Sequence, residues 1–281
     1  MWDYALDLKD WRNHLENSTT KKISDIIFKD NRLRTFQENA LFNSLHWFRK
    51  AEESNAKEDK LINYWIGLEN LFYFHNNAAK IVDKEMAETK IKLMSEIIST
   101  IVAYTSRYKI AWDLFWLLRY EYFLLVYRHH PKLPNHLKIT EILKPVEGKN
   151  IEIVQFLNEL NTLDGIVKNN FLIEEINYVK QIYLSESKGY DKLKDLKSKI
   201  KEEIIYIYRL RNLFVHNAQF DNPILSYYVN RLQKISSNVI NTIINESNFV
   251  GNFIENSLIK SYTEANLFIE NSKEKKLVAL L

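Results

Sequence analysis

Residues 208–223 read YRLRNLFVHNAQFDNP and place Arg211, Asn212 and His216 in an otherwise apolar run. Successive residues of an α-helix turn by about 100°, so Arg211 falls inside the apolar arc of this segment. A guanidinium there needs a partner or a cavity, because burying an unpaired charge costs free energy. Asn212 and His216 are four residues apart and share the neighbouring face with Arg209. The arc that we expect to be buried contains Ile204, Ile207, Leu210, Phe214 and Val215.

The apolar spacing of this segment continues along most of the chain. Apolar residues recur every three or four positions, which is the period of a helix with one buried face, and no segment alternates convincingly at period two. Only 5 Gly and 4 Pro among 281 residues leave few breaks between helices. The sequence therefore predicts an all-α fold, a helical bundle with an antiparallel core and additional flanking helices. The predicted helices are 2–16, 33–54, 57–78, 84–107, 110–128, 150–163, 167–187, 189–217, 223–247 and 251–270.

The clearest internal break lies at residues 129–150, HHPKLPNHLKITEILKPVEGKN, which hold three of the four prolines. Proline lacks a backbone donor and interrupts a helix, so we expect a loop or a short broken helix there. We predict an N-terminal helical extension over 1–40 and a main helical domain over 41–247 that contains this proline-rich insertion. A C-terminal helix and tail are expected over 248–281.

Composition argues against several classes of function. The chain is 46% hydrophobic, too apolar for a disordered protein, and its net charge of +3 is too small to indicate a polyanion partner by itself. The absence of cysteine excludes disulfides and thiolate chemistry. The sequence has no P-loop, glycine-rich dinucleotide turn or HExxH motif, which argues against kinases, dehydrogenases and zinc proteases. We expect no cofactor and no metal site, because His129, His130 and His136 have no acidic partner at a suitable spacing.

The most apolar segment is residues 110–127, IAWDLFWLLRYEYFLLVY. Asp113, Arg119 and Glu121 interrupt it, and charged side chains are costly in lipid. We therefore predict a buried helix here and no membrane span. The amino terminus lacks the apolar run of a signal peptide, so we expect a soluble, cytoplasmic protein.

The string LRNLFVHNA at 210–218 resembles the signature of HEPN domains (higher eukaryotes and prokaryotes nucleotide-binding). In that signature an Arg is followed after four to six residues by His, commonly with Asn directly after the Arg; here these residues are Arg211, Asn212 and His216. The toxins of this superfamily that pair with a nucleotidyltransferase often carry Tyr two positions after the His. This chain has Ala218 there, so we do not expect regulation by adenylylation.

A second segment, residues 41–74, is similar to the helical pair of ApeA-like HEPN proteins. In that group a helix carries an aromatic and apolar run that ends in Leu-Glu-x-Leu. This chain has Leu68, Glu69, Asn70 and Leu71 at the matching place. The resemblance covers residues 40–245.

The resemblance implies a helical homodimer whose paired motifs cut RNA without a metal ion, commonly as an anti-phage defence or toxin effector under a sensor or regulatory partner. Arg211 would hold the phosphate and His216 would move protons, since histidine changes charge close to neutral pH. Asn212 would orient either group, and Glu69 is expected to pair with Arg211 and support it. The alternative is a non-catalytic helical module that binds RNA or nucleotide, or scaffolds a larger complex.

The lysine-rich segment 188–209 allows two interpretations. Its lysines could guide RNA towards the motif through electrostatic attraction. They could equally form a solvated helix face, because Asp191, Asp195, Glu202 and Glu203 offset about half of the positive charge. The charge balance favours the solvated face.

Overall fold

The computed structural model describes residues 29, 34–74, 85, 88–128, 153–216, 223–246 and 252–281, with the backbone alone over 122–128. These residues form α-helices and short 3-10 turns and contain no strand, which confirms the predicted all-α fold. The predicted helix 2–16 and the proline-rich segment 129–150 lie outside the described residues. The helices are α1 (Phe36–Glu53), α2 (Lys57–Asn70), α3 (Lys90–Thr105), α4 (Lys109–Arg128), α5 (Ile153–Glu159), α6 (Asn170–Leu184), α7 (Lys188–His216), α8 (Leu225–Glu246) and α9 (Phe253–Asn271).

The chain divides into two compact units. The first consists of Met1–Val102 and Ser198–Glu264, and the second of Ala103–Lys197 and Ala265–Leu281. The limits of these units fall inside α3, α7 and α9. They differ from the domain limits expected near residues 40 and 247, so a separate main domain over 41–247 stays a prediction.

In the first unit, α1 and α2 form a helical hairpin. The α1 helix begins with a capping box, in which Thr35 Oγ1 accepts from the Glu38 backbone N–H at 3.2 Å and Glu38 Oε2 accepts from the Thr35 N–H at 2.7 Å. The two helices approach closely at Gly67, where a Cβ atom would lie 3.0 Å from the Ser44 carbonyl oxygen. Buried side chains such as Trp65 fill the space between the helices and their neighbours.

The α7 helix enters the core of the first unit through one face. Ile200, Ile204, Ile207 and Leu210 are buried on that face, as their three- and four-residue spacing predicts. The Tyr208 ring lies 5.6 Å from the Trp65 ring of α2, which fixes α7 against the hairpin. An ion pair of 2.6 Å joins Lys201 of α7 to Glu96 of α3.

The second unit packs α4 against α5 and α6. Phe115 of α4 meets Phe156 of α5 edge to face at 5.3 Å, a favoured geometry for aromatic pairs. Arg107 lies with its guanidinium carbon 3.7 Å from the Tyr104 ring centroid, and its carbonyl accepts from the Tyr183 hydroxyl. Burial raises the pKa of Tyr183, so this hydroxyl keeps its proton as a donor.

The apolar segment predicted as a buried helix belongs to α4. Ala111, Leu114, Phe115 and Leu118 are buried there. Within the ranges that the structure describes, no helix combines the length and the hydropathy that a membrane span requires.

Candidate functional site

The candidate site begins with Arg211 in the last two turns of α7. This side chain is half-buried, and its Nη1 donates a hydrogen bond of 3.0 Å to Asn212 Oδ1. Its Nε atom is buried and has no hydrogen-bond partner among the described residues. No carboxylate of the described residues forms an ion pair with Arg211 either. Among the described residues, the guanidinium is thus held at one edge by a neutral amide and meets no carboxylate.

Glu69 does not supply the carboxylate that the resemblance led us to expect. Glu69 Oε1 lies 3.8 Å from Nζ of Lys90, which is the first residue of α3. The predicted ion pair between Glu69 and Arg211 is not formed. The prediction fails because pairing between helices depends on how they pack, and packing turns the end of α2 towards the start of α3.

His216 is the last residue of α7 and is exposed, one turn beyond the half-buried Asn212. This placement agrees with the predicted shared face of the two side chains. The buried arc, however, ends earlier than the helical wheel predicts. Val215 is 50% exposed and Leu213 is 40% exposed, because the buried face of α7 extends only to Leu210. The end of α7 therefore presents His216 together with accessible apolar side chains.

A groove of about 600 Å³ lies beside this face, between α7 and α8. Sequence reasoning did not find it, because one wall comes from α8 and no local pattern shows which residues of two helices will meet. Its lining consists of Lys199, Glu202, Glu203, Ile205, Tyr206 and Arg209 from α7 and Tyr228 from α8.

Two tyrosine rings dominate this groove. The Tyr206 and Tyr228 rings have centroids 4.7 Å apart and planes tilted by 36°, and Tyr206 is 36% exposed. Burial and then the proximity of Tyr206 and Glu203 raise the pKa of Tyr228. The Tyr228 hydroxyl therefore stays protonated at neutral pH, and its ring presents an uncharged face.

Glu203 accepts three hydrogen bonds at the groove. Its Oε2 accepts from Arg231 Nε at 3.0 Å and from Arg231 Nη2 at 2.5 Å, while Oε1 accepts from the Tyr227 hydroxyl at 2.8 Å. The Tyr227 hydrogen bond to Glu203 also raises the pKa of Tyr227. This arrangement neutralises the carboxylate and ties α7 to α8 beside the tyrosine pair.

Two residues of the predicted motif, Asn212 and His216, share one side of α7 with Arg209 of the groove, whereas Arg211 lies on another side. Arg209, Asn212 and His216 are three and four residues apart, so they follow one stripe along the helix. Arg209 is exposed and lines the groove, and it has no ion pair or hydrogen bond with the described residues. The shared face of these three residues was predictable from spacing, whereas its continuation into a groove was not.

In the part of the chain that the structure describes, no group of three or more His, Asp or Glu side chains could hold a metal ion. No protein-family model, curated protein or solved structure matches this chain. The HEPN resemblance therefore rests on residues 41–74 and 210–218 alone.

Proposed function

We propose that this protein is an HEPN-type endoribonuclease that cuts RNA without a metal ion, with Arg211 and His216 as catalytic residues and Asn212 in support. The observation that carries the proposal is the half-buried Arg211, held by Asn212 at 3.0 Å and paired with no described carboxylate. A half-buried cation that meets no carboxylate among the described residues can bind an anionic ligand. The planar fork of a guanidinium matches two oxygens of a phosphate.

The proposed reaction uses the 2′-hydroxyl that lies next to the scissile phosphate of RNA. The 2′-oxygen forms a bond to phosphorus while its proton passes to an imidazole. The bond between phosphorus and the 5′-oxygen breaks, and the leaving oxygen takes a proton from an imidazolium. The products end in a 2′,3′-cyclic phosphate and a 5′-hydroxyl. Arg211 stabilises the charge that develops on the phosphate oxygens.

Two copies of the motif suit this chemistry better than one. Arg211 and His216 are separated by about 7.5 Å along the helix axis and by roughly 140° around it. One imidazole is poorly placed to act as base and acid in the same step. Leu213 and Val215, exposed beside His216, offer apolar surface that a second copy can bury. We therefore propose a homodimer in which the ends of two α7 helices meet.

The biological role proposed here is that of a toxin or anti-phage defence effector, released by a sensor or regulatory partner. The similarity of residues 210–218 to the HEPN signature, and of residues 41–74 to ApeA-like HEPN proteins, supports this role. Uncontrolled RNA cleavage would stop growth of the cell that contains it.

The deciding experiment measures cleavage of end-labelled, unstructured RNA by the purified protein in EDTA, with product ends analysed by mass spectrometry. The wild type should yield 2′,3′-cyclic phosphate ends, and His216→Ala should yield none. His46→Ala is the matched control, since His46 is another exposed histidine on a helix, α1. That variant should cut like the wild type.

A substrate with 2′-deoxy substitution at every position should resist the wild-type protein, because it lacks the attacking hydroxyl. The proposal is wrong if His216→Ala cuts as well as His46→Ala, or if the deoxy substrate is cut. Sedimentation of the wild type beside Val215→Glu tests the dimer. The charged variant should sediment as a monomer and lose cleavage.

A further inference from the structure

We propose that the groove between α7 and α8 binds an unpaired nucleotide of single-stranded RNA, with its base against Tyr206 and Tyr228 and a phosphate at Arg209. This inference rests on the proposed function for the class of substrate. It adds a binding subsite outside the catalytic motif and restricts the substrate to single strands. We call this site the tyrosine groove, defined by Tyr206, Arg209 and Tyr228.

The aromatic part of the site suits a base. The two rings form a tilted pair 4.7 Å apart, and Tyr206 keeps more than a third of its surface exposed to the groove and solvent. Aromatic side chains bind successive bases by stacking, and every base offers a flat face for this contact. The volume of about 600 Å³ lies within the usual size of small-ligand pockets and is large enough for one nucleotide.

The charge of the site suits a phosphate beside that base. Two cations, Lys199 and Arg209, line the groove together with two carboxylates, Glu202 and Glu203. Glu203 is neutralised by Arg231 through two hydrogen bonds, so it repels an anion weakly. Arg209 has no described partner and is exposed, which leaves it available to a phosphate. Glu202 opposes this attraction and keeps the affinity moderate.

The position of the groove favours the same RNA strand that reaches Asn212 and His216. Arg209 and His216 lie on one stripe of α7, about 10 Å apart along the axis. A strand whose base occupies the tyrosine groove can therefore continue along α7 towards Asn212 and His216. In a duplex the base faces are buried in the stack, so a paired strand cannot make this contact.

The test is a fluorescence-anisotropy titration of a short labelled oligouridine with the full chain carrying His216→Ala, which prevents cleavage during binding. Adding Tyr206→Ala or Arg209→Gln should weaken binding roughly tenfold. Tyr206→Phe should bind as the parent does, since the ring and not the hydroxyl makes the contact. Circular dichroism melting of each variant verifies that it is folded.

Tyr178→Ala is the matched control. Tyr178 is 42% exposed on α6 and lies beside a cation, Lys192, as Tyr206 lies in a groove lined by cations. It should bind oligouridine like the parent. A duplex of the same length should compete weakly, and so should uridine monophosphate, which lacks the continuing strand. Equal loss in Tyr178→Ala and Tyr206→Ala, equal competition by duplex or mononucleotide, or no binding at all would overturn the proposal.

The two proposals fail in distinguishable ways. If wild-type protein never cuts RNA but Tyr206→Ala weakens oligouridine binding, the ribonuclease proposal is wrong and the tyrosine groove stands. If wild-type protein cuts RNA and Tyr206→Ala cuts and binds it equally well at subsaturating substrate, the tyrosine groove is wrong and the ribonuclease stands.

Discussion

Arg211 donates a hydrogen bond from Nη1 to Oδ1 of Asn212, its neighbour in the chain, at 3.0 Å. The amide fixes one edge of the guanidinium without removing its charge, and the buried Nε remains without a partner among the described residues. Folding therefore retains a partly desolvated cation at the end of α7. Such a group costs stability unless an anion binds it, and this relation makes the role of Arg211 testable apart from activity.

Arg211→Met should remove activity and preserve or increase stability. Methionine keeps the apolar stem and removes the half-buried charge, so the free energy of unfolding should be unchanged or about 1 kcal/mol higher. Urea denaturation followed by circular dichroism measures this change. RNA cleavage, measured in parallel, should be lost.

Arg49→Met is the control for this substitution, because Arg49 is exposed on α1 and pairs with Glu53. Its unfolding free energy should change by no more than about 0.5 kcal/mol. If Arg211→Met lost roughly 2 kcal/mol or more, Arg211 would be a structural residue with an ionic partner.

Asn212→Asp should weaken catalysis through charge and without loss of fold. The new carboxylate lies where the amide oxygen now accepts from Arg211, so it forms an ion pair that competes with the phosphate. We expect cleavage to fall by roughly tenfold or more, and the melting temperature to stay or rise. Asn241→Asp on α8 adds the same charge at an exposed asparagine away from Arg211 and should change neither quantity. Equal cleavage by the two variants would contradict the proposed role of Asn212.

Helical limits were largely predictable because backbone hydrogen bonds of a helix are local. The segment predicted at 110–128 is α4 (Lys109–Arg128), and that at 223–247 is α8 (Leu225–Glu246). Deviations occur where the backbone tightens at a helix end. The α-helix predicted at 84–107 ends at Thr105 and is followed by a 3-10 turn over Ser106–Tyr108. The α-helix predicted at 150–163 ends at Glu159 and is followed by a 3-10 turn over Leu160–Leu163.

The candidate site was predictable only as far as one helix defines it. The spacing of Arg211, Asn212 and His216 determined their relative directions, which the structure retains. Contacts between helices depend on tertiary packing that spacing does not encode. For this reason Glu69 faces Lys90, and the meeting of Tyr206 with Tyr228 had no signal in the sequence.

Glu202→Gln should strengthen binding of RNA to the tyrosine groove. Glu202 is the exposed carboxylate of the lining, and it opposes a phosphate at Arg209. Removing one exposed charge should tighten oligouridine binding roughly threefold at low salt, with less effect at high salt because of screening. Glu174→Gln on α6 removes an exposed carboxylate elsewhere and should leave the affinity unchanged. The groove assignment would be contradicted if Glu202→Gln weakened binding or matched the control.

Acid should remove part of the stability through Glu38 at the start of α1. Burial alone would raise the pKa of this carboxyl. The Lys29 hydrogen bond of 2.6 Å and the Thr35 backbone and hydroxyl outweigh burial and hold the pKa below its ordinary value of 4.5. The folded state therefore binds fewer protons than the unfolded state in this range. The contribution to stability is complete above pH 4.5 and is lost as the pH falls through the lowered folded-state pKa.

Glu38→Gln isolates this charge, because glutamine can still accept from the Thr35 N–H and preserve the capping box. At neutral pH the free energy of unfolding of the variant should be about 1 kcal/mol lower than that of the wild type. The difference should close as urea denaturation is repeated at successively lower pH. The stability difference between Lys29→Met and the wild type should also decrease at low pH, but by less, since Lys29 is the main group that lowers the pKa of Glu38. Parallel stability curves for wild type and Glu38→Gln across the acid range would show that Glu38 contributes no charge-dependent stability.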